Sequence, residues 1–486
     1  MNLLPYAFAK RHGILALAAD DHGVHVLARA GVRSSALAEA RRYLGRPLQV
    51  ESADAQAFDQ QLAQAYAEKD KNSSDLAGDF SQADDDLARL LQETPEIFDL
   101  LETQDDAPII RMINALLTQA IRDDVSDIHI EPYATRSVVR FRVDGLLRDM
   151  LEPPRNVHAA LVSRIKVMSQ LDIAEKRLPQ DGRISLKIAG RPVDIRVSTL
   201  PTGQGERVVL RLLDKAQGRL DLSQLGMAPP TLAQIDTLVH QPHGILLVTG
   251  PTGSGKTTTL YAALSRIDTH QLNVVTVEDP IEYDLDGIGQ TQVNTRIDMT
   301  FARALRSILR QDPDVVMIGE IRDFETAQIA VQASLTGHLV LATLHTNDSV
   351  SAVTRLVDMG VEPFLLASSL LGVLAQRLVR SLCPVCRTPS PVSASEFARL
   401  ELTPVPTFEA PGCEHCRNTG YKGRTGIYEL FTLDDTLRRM VHERATEQQM
   451  RDHAVANNMI PLRQDGMRWV AEGKTSLQEV LRVTKD

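Results

Sequence analysis

Apolar positions recur with a changing period along the chain, and each change predicts a different element. Gly13-Ile-Leu-Ala-Leu-Ala18 and Gly23-Val-His-Val-Leu27 are short apolar runs that predict strands, followed by Ala-rich segments of helical character. After a long polar stretch, Ile109, Ile110, Ile113, Leu116, Leu117 and Ile121 recur at helical spacing. Ser126-Asp-Ile-His-Ile130 then predicts a strand. Val138–Val143 and Leu146–Met150 flank Asp144-Gly145, a tight-hairpin signal, and a second amphipathic helix is expected over about His158–Leu171. Arg183–Ile188, Val193–Ser198 and Arg207–Leu213 complete an antiparallel sheet.

From about Pro230 the pattern becomes strand and helix in alternation, with strands apolar on both faces as a parallel sheet requires. Gly244-Ile-Leu-Leu-Val-Thr249 is one such strand, and Thr258–Ile267 reads as the helix that follows the next loop. Val274-Val-Thr-Val-Glu278, Asp314-Val-Val-Met-Ile318 and Gly337–Asp348 predict three further strands, with Pro313 marking a turn.

The loop between the first of these strands and its helix is Gly250-Pro251-Thr252-Gly253-Ser254-Gly255-Lys256-Thr257-Thr258, which fits G-x-x-x-x-G-K-[ST]. Its glycines allow successive N–H groups to converge on phosphate oxygens, and the helix start adds a positive dipole end. Lys256 would bridge the β- and γ-phosphates, and the Thr257 hydroxyl would bind Mg²⁺. ATP with Mg²⁺ is therefore the expected ligand. Ligands in open α/β sheets lie at the carboxyl ends of the strands, so Glu278, Asp279 and Glu282 are expected beside the nucleotide. The next strand ends Gly319-Glu320, with glycine where the usual Walker B strand has Asp. Glu320 is then best placed to polarise the attacking water. His345, at the end of the following strand, is a candidate contact to the γ-phosphate, although a lone histidine is more often structural.

Arg183, Arg196, Arg207 and Arg211 recur on the antiparallel strands. They form either a solvated face or a face that looks at bound phosphate. Arg303, Arg306 and Arg310 form a cationic helix face, with Arg322 just after Glu320. All four cysteines of the chain fall in two pairs, Cys383-x-x-Cys386 and Cys413-x-x-Cys416, which reads as a structural Cys₄ zinc site. The 26 residues between the pairs exceed the common spacing, so the intervening loop must bulge out.

The net charge of -10 is unevenly placed. Residues 51–110 carry 16 acids against three bases, which leaves the remainder near neutral. No concentrated basic patch marks a nucleic-acid binder. No apolar run approaches the length of a membrane span, and no signal peptide is visible, so a cytoplasmic protein is expected.

These features predict a multi-domain chain: a P-loop (RecA-like) α/β motor domain, preceded by an α+β domain with an antiparallel sheet and a small N-terminal α/β module. The expected boundaries are 1–70 for a partner-docking module, 71–107 for a flexible acidic linker with a short helix near Leu87–Leu91, and 108–214 for the α+β domain. An interdomain linker over 215–230 and the motor over 231–486 follow, with the cysteine subdomain at about 380–420.

The loop at Gly250–Thr258, Val277-Glu-Asp-Pro-Ile-Glu282, Ile318-Gly-Glu-Ile-Arg322 and Ala342-Thr-Leu-His-Thr-Asn347 resemble the Walker A, Asp, Walker B and His boxes of the type II/type IV secretion and pilus-assembly ATPases. The resemblance continues at Ser126-Asp-Ile-His129, Arg177-Leu-Pro-Gln-Asp-Gly-Arg183 and Tyr421–Tyr428, and the chain's two ends are most similar to the type II secretion E branch. It implies a homo-hexameric ring in which Arg196 and Arg211 reach the γ-phosphate. It also implies docking of the N-terminal module on an inner-membrane L-type component, action on an inner-membrane platform protein, and peripheral attachment to that membrane through these partners. A pilus-assembly ATPase has the same chemistry with another client; a non-hydrolysing scaffold and a DNA-translocating motor are the remaining alternatives.

Overall fold

The structure is a computed structural model that describes residues 12–54, Phe58 and residues 107–485, apart from short gaps at 21–22, 30–31, 33, 189–190, 215–220, 295–296, 391 and 401. Most of the expected linker over 71–107, including the helix near Leu87–Leu91, lies outside the described residues. The chain divides into two units, residues 1–97 and 98–486.

In the first unit, β1 (Ile14–Asp20) pairs antiparallel with β2 (Gly23–Arg29), and β3 (Leu48–Ala53) pairs parallel with β2. Helix α1 (Ser34–Leu44) lies between β2 and β3 in the chain, as a parallel pair requires. Ile14, Ala16, Val24 and Val26 pack with Ala36 and Ala40. The third strand carries little apolar signal, since its residues are mostly exposed.

The second unit opens with α2 (Ala107–Arg122), followed by β4 (Asp127–Pro132), β5 (Ser137–Val143), β6 (Leu146–Leu151), α3 (Arg155–Met168), β7 (Gln180–Ile188), β8 (Arg191–Thr202) and β9 (Gly205–Asp214). The six strands form an antiparallel sheet in the order β6-β5-β4-β9-β8-β7. Asp144 and Gly145 both have positive φ, 48° and 85°, which is the backbone a two-residue hairpin needs. Ile128, Ile130, Phe141, Ile195, Val197, Val208 and Leu210 are buried on one sheet face. Strand alternation therefore sends Asp127, His129, Arg140, Arg142, Arg196, Arg207 and Arg211 to the other.

The motor sheet holds seven strands in the order β12-β11-β13-β14-β10-β15-β18. They are β10 (Gly244–Thr249), β11 (Val274–Glu278), β12 (Gly289–Gln292), β13 (Val315–Ile318), β14 (Leu339–Leu344), β15 (Leu370–Leu382) and β18 (Tyr421–Thr432). All neighbours are parallel except β15 and β18. Helices α4 (Pro229–Val239), α5 (Lys256–Leu264), α6 (Phe301–Ile308) and α7 (Phe324–Leu335) contribute to two separate apolar clusters formed with the sheet. Two minor strands, β16 (Thr388–Pro389) and β17 (Phe408–Glu409), pair inside the long cysteine loop.

The packed motor begins earlier than position 231. Leu222 is fully buried in one of its apolar clusters, Arg266 binds Asp221, and Tyr428 Oη donates to the Leu225 carbonyl. Residues 221–230 are thus part of the motor and not a free linker. The α+β domain and the motor touch through Arg196 with Glu282, through Asp123 with Arg417, and through Asp144, which accepts from the Gly423 N–H at 3.1 Å.

Candidate active site

The glycine-rich loop joins β10 to α5 and takes a backbone that side chains would obstruct. Gly253 and Gly255 have φ of 79° and 86°, and a Cβ on Gly250 would lie 2.5 Å from the Gln376 carbonyl and 2.6 Å from Ser254 Oγ. Gly255 caps α5 without a side-chain acceptor, so the first N–H groups of the helix are left to a ligand. Ser254 Oγ is buried and, among the described residues, has no hydrogen-bond partner. Lys256 Nζ donates to the carbonyls of Gly250 at 2.8 Å and Pro251 at 3.2 Å. Burial lowers the Lys256 pKa to about 8, opposed by the Glu320 charge and assisted by that of Arg377. A loop with free helix N–H groups, a buried hydroxyl lacking a partner and a desolvated ammonium fits a polyphosphate. Thr257 and Thr258 are half-buried in the first turn of α5.

Glu320 lies just beyond β13 with its side chain 16% exposed. One oxygen pairs with Arg322, and the other is 3.2 Å from His345 Nε2 at the end of β14. Arg322 also approaches Asp279 at 4.0 Å. The strand ends thus gather Asp279, Glu320, Arg322 and His345. Gly319 has a steric reason: a Cβ there would be 3.3 Å from both Glu278 Cα and the Val277 carbonyl. That leaves little room for the aspartate common at this place.

Glu278 stands apart from this cluster. It is 3% exposed, and its carboxylate accepts from Thr276 Oγ1 at 2.5 Å, Gln290 Nε2 at 3.1 Å and the Tyr261 hydroxyl. Two donors reach Oε1 and one reaches Oε2, so Glu278, expected beside the nucleotide, is a buried carboxylate that ties β11 to α5 and β12. Tyr261 accordingly has a raised pKa, from burial first and then from the Glu278 hydrogen bond. Glu282 faces the α+β sheet, where its carboxylate lies 2.9 Å from Arg196; the same guanidinium donates to the Ile281 carbonyl at 3.0 Å. Arg211 is half-exposed and donates from Nε to Asp127 at 2.8 Å. Arg207 pairs with Glu131 at 2.5 Å and Arg183 with Asp194 at 2.6 Å. Arg303 and Arg306 pair with Asp298 and Glu325 on the motor surface.

Residues that the motifs alone do not reveal complete the site. Gln376 Nε2 donates to the Ser254 carbonyl at 2.6 Å and so braces the loop from β15. Arg377 donates to the Asn347 carbonyl at 2.6 Å. The polar pair Gln376-Arg377, interrupting the apolar run Leu370–Ala375, is the sequence signal for both. Thr249 Oγ1 binds Thr346 Oγ1 at 2.7 Å and accepts the Thr346 N–H at 2.9 Å, fixing the His345 loop to the end of β10.

The cysteines form a second candidate site. All four Sγ atoms lie within 4.8 Å of one another, and three pairs are 3.8 Å apart. Tetrahedral thiolates at about 2.3 Å from a zinc ion would have edges of about 3.8 Å. Cys416 Sγ also accepts the N–H groups of Cys413 and Gly420, each at 3.2 Å, which orients it as an outer shell does. The long loop between the pairs is closed by β16 and β17, and its helix Ala394–Arg399 buries Phe397 against the motor.

The chain has counterparts among known proteins. Residues 102–482 match the family described as type II/IV secretion system protein, and residues 3–66 match a domain family of GSPII protein E. Type II secretion system protein HxcR of Pseudomonas aeruginosa is 62% identical over 486 residues, covering 100% of both chains. Type II secretion system ATPase E of Vibrio cholerae is 53% identical over 487 residues, covering 99% of this chain and 97% of its own. Among solved structures, the pilus retraction motor PilT with bound ADP is 25% identical, covers 77% of this chain and 97% of its own, and gives a TM-score of 0.52. The Legionella pneumophila ATPase DotB, at 19% identity over 81% of this chain and 98% of its own, shares the fold with a TM-score of 0.57. The chain belongs to the type II/IV secretion system protein family and, within it, to the type II secretion E proteins.

Proposed function

We propose that this protein is a cytoplasmic ATPase that works as a homo-hexameric ring and powers type II protein secretion through pseudopilus assembly. The observation that carries the reading is that one chain holds three parts: the Gly250–Thr258 loop, the Glu320–His345 pair at the strand ends, and an arginine-bearing sheet face whose Arg196 touches the motor at Glu282. ATP binds with its phosphates on the loop N–H groups and Lys256, and Thr257 holds Mg²⁺. Glu320 polarises the attacking water, His345 orients Glu320 and senses the γ-phosphate, and Arg196 and Arg211 grip that phosphate from the α+β sheet. Phosphate loss releases the arginines, so the α+β domain can part from the motor. A ring of such subunits follows from a head-to-tail interface that closes on itself. The four cysteines hold a structural zinc ion.

The match of residues 3–66 to a domain of GSPII protein E supports docking of this module on an inner-membrane L-type component, hence a peripheral place at that membrane beside the platform protein. Among the described residues no helix is long and apolar enough to cross a membrane. Binding of the full chain to the cytoplasmic parts of L-type and pilus-assembly components, compared side by side, tests the client. Selective capture by the L-type component is expected; selective capture by a pilus component would reassign the machine.

Arg211→Ala is expected to lower kcat about 10- to 1,000-fold, since the arginine acts on charge that develops on the γ-phosphate. ADP affinity should stay within a few-fold of wild type. Steady-state phosphate release and equilibrium ADP binding check it, and an unchanged kcat returns Arg211 to a solvated face.

A further inference from the structure

One cross-strand row of the α+β sheet concentrates positive charge. Register places Arg142 opposite Asp127, Asp127 opposite Arg211, Arg211 opposite Arg196, and Arg196 opposite Arg183. Four arginines thus stand in line with one carboxylate. Like charges directly opposite on a sheet repel, so the row holds together only if something orients and compensates its guanidinium groups. Arg183 and Arg196 find carboxylates outside the row, in Asp194 and Glu282. Asp127 serves the other two.

The way it serves them differs. Asp127 is 6% exposed and held by Ser126 Oγ, which donates to Oδ2 at 2.8 Å, with Arg142 Nε 3.6 Å from the same oxygen. Its other oxygen accepts Arg211 Nε at 2.8 Å. Arg196, Arg207 and Arg140 spend terminal amines on their partners. Arg211 is anchored through Nε alone, and among the described residues its two terminal amines have no partner. A guanidinium held at its inner nitrogen, with its outer edge free and half-exposed, is prepared for two parallel hydrogen bonds to a tetrahedral anion.

We infer that Asp127 is a positioning residue for γ-phosphate recognition: it fixes the Arg211 guanidinium with its terminal edge turned to the phosphate, beside that of Arg196. Asp127 touches no nucleotide and acts only through Arg211. The inference rests on the γ-phosphate role proposed for Arg211.

A double-mutant cycle on the full chain tests it, read by kcat and by the ratio of ATP to ADP affinity. Asp127→Ala should lower kcat about 10- to 100-fold, as small misplacements of a catalytic group do. It should cut the preference for ATP over ADP while leaving ADP affinity unchanged. Asp127→Asn keeps an oxygen for the Arg211 Nε–H and should recover most of both quantities. In an Arg211→Ala background Asp127→Ala should have no further effect. If Asp127→Ala is as harmful in that background as alone, or lowers ATP and ADP affinity equally, Asp127 is structural and the inference is overturned. If Arg211→Ala by itself changes neither quantity, the γ-phosphate reading fails and takes this inference with it.

Discussion

Glu320→Gln is expected to bind ATP with near wild-type affinity and to lose hydrolysis by about 100- to 10,000-fold, the range a positioned general base supplies. Glutamine keeps the size of the side chain and one acceptor oxygen, so the contacts with Arg322 and His345 persist in weakened form. What it removes is the negative charge that polarises water. Gly319 leaves little room for a second carboxylate on this strand, Glu278 is engaged by Thr276, Gln290 and Tyr261, and the nearby Asp279 lies 4.0 Å from Arg322. Fluorescent-nucleotide titration and phosphate release measured on the same preparation check it. Turnover within a few-fold of wild type would remove Glu320 from the chemistry.

Cys416→Ser is expected to produce the largest loss of stability. Cys416 is buried and receives two backbone N–H groups, and the cluster it belongs to closes the far end of the β15–β18 hairpin. Arg417, the next residue, reaches across to Asp123 of the α+β domain. Binding of structural zinc contributes of order 10 kcal/mol in small zinc-finger peptides, and loss of one thiolate ligand forfeits a large part of that. Metal analysis should find about one zinc per wild-type chain and well under half of that in the variant, together with a lower thermal midpoint. A wild-type protein that contains no metal and melts like the variant would contradict the zinc assignment.

How much of this could be read from the residues follows from how local each signal is. The phosphate loop is specified by four constraints close in sequence, two glycines, a lysine and a threonine, within a strand-loop-helix, and the structure places it where the pattern does. The Asp144-Gly145 hairpin and the cysteine pairs are equally local. Glu278 could not be placed by the same reasoning. The end of a strand says which sheet edge a residue occupies, but not that Tyr261 and Gln290 converge on its carboxylate from other elements. The motor boundary escapes the pattern for a related reason, because the sparse apolar residues Leu222 and Met227 join a core made mostly of residues far along the chain. Asp127 illustrates the limit most clearly. Of its neighbours in sequence only Ser126 binds it, while its arginine partners lie 15 and 84 residues away and meet it only through strand register.

Hydrolysis at Glu320 is proposed to drive secretion. The most direct test is made in cells whose only copy of this chain carries Glu320→Gln, scoring type II cargo in the medium and pili on the surface of the same culture. Cargo retained inside the envelope, with pili as in the wild type, is the predicted result. Cargo released at the wild-type level, or pili lost while secretion continues, would contradict it.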